Sequence, residues 1–185
     1  MIAQVEVLTD RLRLRQWRES DRGPFHEAIN GVDEVMRYFP AVLDRAQSDG
    51  TLDYFISGIE ERGWGFWAVD IRESDEFIGF IGIQPVPERL PFAPAIEVGW
   101  RLRQSAWGCG FATEGALESL RFAFEELDAD EVVSFTAVTN ERSWRVMERL
   151  AMTRGPKTFE YPDLPQGHPL RTHVLYTAAR PISAD

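Results

Sequence analysis

From Ile96 the chain alternates as a strand does, turns through the two glycines of "WGCG", and then repeats apolar residues at helical spacing. Ala112, Ala116, Leu120, Phe124 and Leu127 fall on one stripe, so about 112–127 predicts a helix with one face packed on a sheet. The pattern recurs directly. "EVVSFTAVT" (131–139) is an apolar, β-branched strand, and "NERSWRVMERLAM" is a second helix with Asn140 placed to cap its start. Two successive strand–turn–helix units put the chain in the α/β (α+β) class.

The flanking segments supply more strands and helices. "VEVLTDRLRLRQW" (5–17) alternates around Leu8, Leu12 and Leu14 and predicts one half-buried strand. "ESDRGPFHEAIN" and "DEVMRYFP" predict short helices, with Ser20 or Asp21 capping the first and Pro40 closing the second. "SDGTLDYFISGIEERG" predicts a longer helix ended by Gly63. Strands at 65–72 and 76–84 form a hairpin around "ESDE", and a third follows at about 95–102. The tail gives a strand, a proline-rich excursion and a final strand at about 172–179. The prolines between Pro85 and Pro94 lie too close to paired strands to be a linker, and no internal repeat interrupts the chain. With 185 residues, 44% of them hydrophobic, one compact domain over 1–185 is expected.

Charge narrows the partners. Thirty acidic against twenty basic residues give a net charge of −10, which repels nucleic acid and anionic membrane, and no long basic run offsets it. The same acidity fits either a solvated surface or a mild attraction for cationic amines. Cys109 is the single cysteine, so neither an intrachain disulfide nor a Cys-rich metal site is available. His26, His168 and His173 lack ligand spacing, so no metal is expected. Charges interrupt the N-terminal stretch too often for a signal-peptide core or a membrane span, which makes a cytoplasmic location the expectation.

The glycine turn carries the chemistry. A strand running through Gly108 and Gly110 into a helix gathers unpaired backbone N–H groups and the positive end of a helix dipole at one point, which suits an anion and phosphate above all. Missing Cβ atoms let a ligand approach the main chain; a turn without a ligand has the same appearance. A P-loop would need Lys then Ser/Thr after its last glycine, where Phe111 and Ala112 stand. A dinucleotide fingerprint would need a third glycine where Thr113 stands, and would come early in the chain. Glu114, in the first helical turn, puts negative charge where the anion would sit.

"AIEVGWRLRQSAWGCGFATEG", "TAVTNERSWRVMERLAM" and "HPLRTHVLYTAAR", taken together, resemble the RimJ/RimL-type branch of the GNAT N-acetyltransferases, over about Leu8 to Arg180. The resemblance implies a central mixed, mostly antiparallel sheet of about six to seven strands, splayed in the middle and flanked by about four helices. It implies acetyl-CoA as cosubstrate, with the pyrophosphate on the backbone of Trp107, Gly108, Cys109, Gly110, Phe111 and Ala112. The strand carrying Val98, Gly99 and Trp100 would pair with the pantetheine arm. Asn140 would contact that arm or simply cap its helix. Arg103 would meet phosphate or stay an exposed strand residue, and Arg142 and Arg145 are candidates for the adenosine phosphates.

Two positions depart from the family pattern. Ser105 stands where a Gln or Arg usually precedes the first glycine, with Gln104 one place earlier. The Tyr that many relatives carry on the last helix, before a Gly-Phe pair, is replaced by Met147, ahead of Ala151 and Met152.

Acetyl transfer needs a neutral amine, yet an alkylammonium with a pKa of roughly 10 leaves about a thousandth neutral at pH 7, so a base helps. Glu97 occupies a strand position where the family often places a carboxylate, and burial would raise its pKa toward a useful value; its other reading is a strand-edge carboxylate. Ser143 matches a serine that some RimL-like enzymes hold near the CoA sulfur, or it caps its own helix. Tyr161 and His173 are weaker candidates. The acceptor site is expected among Trp17, Tyr38, Phe39, Trp64, Trp67, Phe159 and Tyr161, most of which would be core. The function implied is acetyl transfer to a primary amine, on a protein N-terminus or a small molecule, by a monomer or homodimer. The alternative is a silent acyl-CoA-binding sensor or interaction module of the same fold.

Overall fold

A computed structural model describes residues 5–181. Its eight strands are β1 (Val7–Leu8), β2 (Leu12–Arg15), β3 (Phe66–Ile71), β4 (Glu76–Pro85), β5 (Ile96–Leu102), β6 (Glu131–Ala137), β7 (Thr153–Glu160) and β8 (Thr172–Ala179). They form one sheet in the order β1-β2-β3-β4-β5-β6-β8-β7. Every neighbouring pair is antiparallel except β5 and β6, which run parallel and share one register pair, Glu97 with Val133.

The mixed, mostly antiparallel sheet matches the sequence reading, with one strand more than expected. The extra strand comes from residues 5–17, which form a hairpin rather than one strand. Thr9 closes the turn twice: its N–H donates to the Leu12 carbonyl at 3.0 Å, and its hydroxyl accepts from the Leu12 N–H at 2.8 Å. The turn resets the alternation. Val7 pairs with Leu14 on the buried face, whereas Leu8, in phase with Leu12 by count, is 51% exposed.

The helices are α1 (Arg22–Phe25), which continues into a wide turn at His26–Asn30, α2 (Asp33–Met36), α3 (Arg45–Arg62), α4 (Phe111–Glu125) and α5 (Glu141–Arg149). α3 starts earlier than its apolar periodicity suggests because of a capping box. The Asp44 carboxylate accepts from the Gln47 N–H at 2.8 Å while the Gln47 side chain accepts from the Asp44 N–H at 2.9 Å. Gly63 ends it in the left-handed region, φ 86°. Asp21, expected as a helix cap, instead holds Arg15 at 2.7 and 3.0 Å, and Arg15 also grips Asp70 at 2.5 and 2.6 Å. This buried cluster ties the first helices to β2 and β3.

The sheet is covered on both faces. α4 lies on one, so close that a Cβ on Gly115 would come within 2.6 Å of Ile81 and 3.4 Å of Leu12. α3 covers the other through aromatic contacts, with Phe55 at 5.4 Å from Phe66 and 5.1 Å from Phe80. Over the outer strands a smaller core of Val86, Leu90 and Val133 gathers Phe92, Phe135, Phe159 and Tyr161, so the proline-rich segment is packed structure.

Candidate active site

β5 feeds a short 3₁₀ turn at Gln104–Ala106, then Trp107 and the two glycines, both at positive φ: 77° at Gly108 and 82° at Gly110. Gly110 is the N-cap of α4 and supplies no side-chain acceptor. The first backbone bond to close there runs from the Glu114 N–H to the Gly110 carbonyl at 3.0 Å. The N–H groups of residues 108–113 therefore have no hydrogen-bond partner among the described residues. A Cβ on Gly108 would meet nothing within 4 Å, so space opens directly over the turn. Open space, free donors and a helix N-terminus together are the features that favour an anion.

Glu114 does not oppose this. Its carboxylate turns to the β1–β2 turn, accepting from the Thr9 hydroxyl at 2.5 Å, the Arg11 N–H at 2.9 Å and the Arg11 guanidinium at 2.6 Å. Partial burial pushes the Glu114 pKa up, but these donors outweigh it and hold the group below its ordinary value. Arg11 also donates to the Cys109 carbonyl at 2.9 Å and covers the Phe111 ring at 4.7 Å. Arg11 straps the glycine turn to the sheet, a role with no local signal in the sequence.

The other expected cofactor residues divide. Arg142 lies over the Trp107 ring, 4.5 Å from its centroid, and reaches Glu34 at 3.4 Å, so it borders the turn. Arg103 is held by Glu76. Arg145 pairs with Glu141 along α5 at 3.0 Å. Cys109 is exposed, while Phe111 and Ala112 pack half-buried against the core.

β5 and β6 form a single register pair, Glu97 with Val133, and then lead, at the same end, to the glycine turn and to Asn140. The wedge between them thus opens toward the N-termini of α4 and α5. Val98 is buried under α4, Trp100 is half-buried, and Gly99 admits the Phe66 ring, whose Cζ would lie 2.9 Å from a Cβ there. Asn140 caps α5: its side-chain oxygen accepts from the Ser143 N–H at 3.4 Å, and its amide donates to the Thr136 hydroxyl at 2.9 Å and the Ser143 hydroxyl at 3.1 Å.

Glu97 sits at the closed end of the wedge, 9% exposed. Burial pushes its pKa up to about 7, opposed by a hydrogen bond from Gln84 directly across the ladder and by the charge of Arg89. Arg89 is fixed by Asp163 at 2.8 and 2.9 Å. Gln84 was not singled out by the sequence; its register opposite Glu97 reveals it. Tyr161 and His173 stack at 4.9 Å beside Phe135 and Phe159. Burial raises the Tyr161 pKa and lowers that of His173. Trp17 and Trp67 are core residues, while Tyr38, Phe39, Trp64, Phe159 and Tyr161 are half-buried. Among the described residues no cluster of His, Cys, Asp and Glu is placed to hold a metal ion, and no helix is long and apolar enough to cross a membrane.

Known proteins resemble the chain in sequence and in fold. A family model described as an acetyltransferase (GNAT) domain matches residues 11–153. The chain is 34% identical over 122 residues, 64% of its length, to a protein of Aspergillus fumigatus named FsC-acetyl coenzyme A-N(2)-transacetylase, and spans 51% of that protein. It is 25% identical to the N-acetyltransferase YoaA of Bacillus subtilis over 94% of this chain and 96% of that one. Among solved structures, RimL, named as a ribosomal L7/L12 α-N-protein acetyltransferase in complex with coenzyme A, superposes with a TM-score of 0.75 at 16% identity, covering 95% of this chain and 98% of that one.

Proposed function

Because the chain belongs to the GNAT acetyltransferase family, whose members use acetyl-CoA, we propose that it acetylates a primary amine by direct attack of that amine on the thioester. The observation that carries the proposal is Glu97, a carboxyl with its pKa pushed up to about 7, at the closed end of a wedge whose open end is the glycine turn. The residues present fit the cosubstrate, since the unpartnered N–H groups of residues 108–113 and the open space over Gly108 suit a pyrophosphate.

When bound, acetyl-CoA supplies an activated acyl group: the acceptor nitrogen gains an N–C bond as the C–S bond breaks. Glu97, directly or through a water, takes the proton that the ammonium must lose, and a pKa near 7 leaves it half ionised at neutral pH. Gln84 holds the carboxylate in place across the ladder. The Ser143 hydroxyl accepts from Asn140, which leaves its own hydrogen free to be donated to the departing thiolate. A thiol pKa of about 8.5 makes that help modest, so Met147 in place of a Tyr is tolerable. Val98, Gly99 and Trp100 present the strand edge for the pantetheine arm, and Trp107, Gly108, Cys109, Gly110, Phe111 and Ala112 form the cradle. Arg142 is better placed than Arg145 or Arg103 to meet phosphate, because it lies over the Trp107 ring beside the turn and its contact with Glu34, at 3.4 Å, is longer than theirs with Glu141 and Glu76.

The reading is of one domain over residues 1–185, cytoplasmic, monomeric or homodimeric, taking a small-molecule or peptide amine and neither nucleic acid nor membrane, in keeping with the net charge of −10. RimL is named as an α-N-protein acetyltransferase and the Aspergillus relative as an N(2)-transacetylase, so protein N-termini and other amines both belong in the test. Acetyl-CoA binding is measured by calorimetry and thioester consumption is followed across peptides, amino acids, polyamines and aminoglycosides. Binding with consumption on at least one class is expected. Binding with no consumption on any of them would overturn the enzymatic reading in favour of a sensor.

A further inference from the structure

Arg101 stands on β5 four residues beyond Glu97, on the same face, since side chains alternate along a strand. Between them Gly99 lies under the Phe66 ring. The two charged residues therefore stand on one face of the strand with the Phe66 ring packed between them, roughly 13 Å apart along it.

The company of Arg101 is unusual for a packed arginine. It makes no ion pair with any described residue, and its one hydrogen bond runs from Nη1 to the Asn30 side-chain oxygen at 2.6 Å. Its guanidinium lies 3.9 Å from the Phe39 ring centroid and 5.4 Å from that of Phe80, while Nε is buried without a partner. Asn30 is itself fixed by donating to the Ser48 hydroxyl at 3.0 Å, so the guanidinium is oriented but not neutralised. Burial pushes the Arg101 pKa down to about 10, which still leaves it charged at neutral pH. Arg15, the other arginine packed among core residues, is saturated by Asp21 and Asp70. This chain can supply a buried arginine with carboxylates, and at Arg101 it supplies none. A fixed cation with unused fork donors is the half-site that a carboxylate completes.

We infer that Arg101 receives a carboxylate of the acceptor, which makes the substrate a short peptide held by its carboxylate with its amine toward Glu97. The amine end of this assignment rests on the acetyltransferase reading; the anion end does not. A monoanion fits better than a phosphate, because Asn30, Phe39 and Phe80, which surround the Arg101 guanidinium, bring no second cation to balance a dianion. The separation leaves room for a dipeptide or tripeptide, which extends by roughly 3.5 Å per residue.

The test uses the full chain with alanine, dialanine and trialanine, each beside its C-terminal amide. Binding of their N-acetyl forms is measured by calorimetry with CoA present, so no turnover is required, and thioester consumption is followed with the free amines. A charge-assisted bond predicts that at least one acid binds about 10-fold or more tighter than its amide. Arg101→Met brings that ratio to near one and leaves Tm no lower, since it removes an unneutralised cation. Arg101→Lys, which keeps the charge without the fork, retains part of the preference. Equal binding of acid and amide at every length, absence of binding included, overturns the inference, as does a preference that survives Arg101→Met. Acid preference without thioester consumption would leave the anion site standing and remove the placement of the amine at Glu97; consumption without acid preference would leave the acetyl-transfer reading standing and overturn the anion site.

Discussion

Arg11 and Glu114, 103 residues apart in the chain, meet at 2.6 Å where the β1–β2 turn crosses the first turn of α4. The pair turns a carboxylate away from the N-terminus of the helix and ties the glycine turn to the sheet edge. Replacing Glu114 by Ala removes the acceptor for the Thr9 hydroxyl and the Arg11 N–H together. A loss of about 1–2 kcal/mol is expected, lowering Tm by a few degrees. The folded pKa of Glu114 is depressed, so its contribution is present above the unfolded carboxylate value and lost as pH falls through the folded one. The difference between wild type and Glu114→Ala in melts from pH 7 to pH 3 should therefore shrink below about pH 4. A constant difference would mean the ion pair contributes nothing.

Glu97 carries the opposite sign. Burial raises its pKa from 4.5 to about 7, so the folded state binds an extra proton between those values. The contribution of Glu97 to stability is then greatest below about pH 4.5 and declines as pH rises through about 7. Glu97→Gln should be the more stable protein at pH 8, by an amount on the order of 2–3 kcal/mol, with no advantage at pH 4. In turnover the same group predicts that kcat/KM rises with pH through about 7 on its acidic limb, and that Glu97→Gln loses this limb and about 10²-fold or more in rate. Denaturant titrations at the two pH values and a pH–rate profile check both halves. A variant that keeps both the limb and the rate would remove Glu97 as the base.

The difference between these two carboxylates marks where sequence reading stops. Apolar pattern located β4, β5, α4 and β6 to within a few residues, because α4 has one buried face and the strands are short apolar runs bounded by turn residues. The break at Thr9 was hidden because the alternation runs through the turn without a Gly or Pro to mark it. Gly108, Gly110 and Asn140 were legible because backbone conformation and capping impose local residue choices. Arg11, Gln84 and Arg101 were not. Each matters through a partner on another element, and only strand register brings Gln84 opposite Glu97 or sets Arg101 on the same face.

Gly108 offers a cleaner probe of the cradle than Gly110. A Cβ on Gly110 would come within 3.4 Å of Arg11 Nη2, so a side chain there disturbs the strap as well as the turn. At Gly108 the Cβ meets no protein atom within 4 Å, and the cost of Ala is the positive φ alone, about 1 kcal/mol. Gly108→Ala should remain folded, with Tm lower by about 2–4 °C, yet lose about 10-fold or more in acetyl-CoA affinity where the ligand approaches the main chain. Calorimetry beside melts separates the two effects. Affinity equal to wild type would place the pyrophosphate elsewhere.

The end of α5 carries a residue at odds with its backbone. Ala151 adopts φ 56°, and the two bonds that close the helix run from its N–H to the Glu148 carbonyl at 3.0 Å and from the Met152 N–H to the Met147 carbonyl at 3.1 Å. That is the left-handed C-terminal motif in which glycine is usual, with buried Met147 and Met152 as its apolar contact. The Ala151 side chain is exposed, so its methyl group contributes little packing against the strain of the left-handed conformation. Ala151→Gly relieves that strain and gives back part of the gain through a more flexible unfolded chain, for a net stabilisation of about 0.5–1 kcal/mol. Urea titration should show a higher midpoint at an unchanged m-value, with acetyl-CoA affinity as in the wild type. A lower midpoint would show that Ala151 is not held at positive φ in solution, and would remove the reason for the closed turn between α5 and β7.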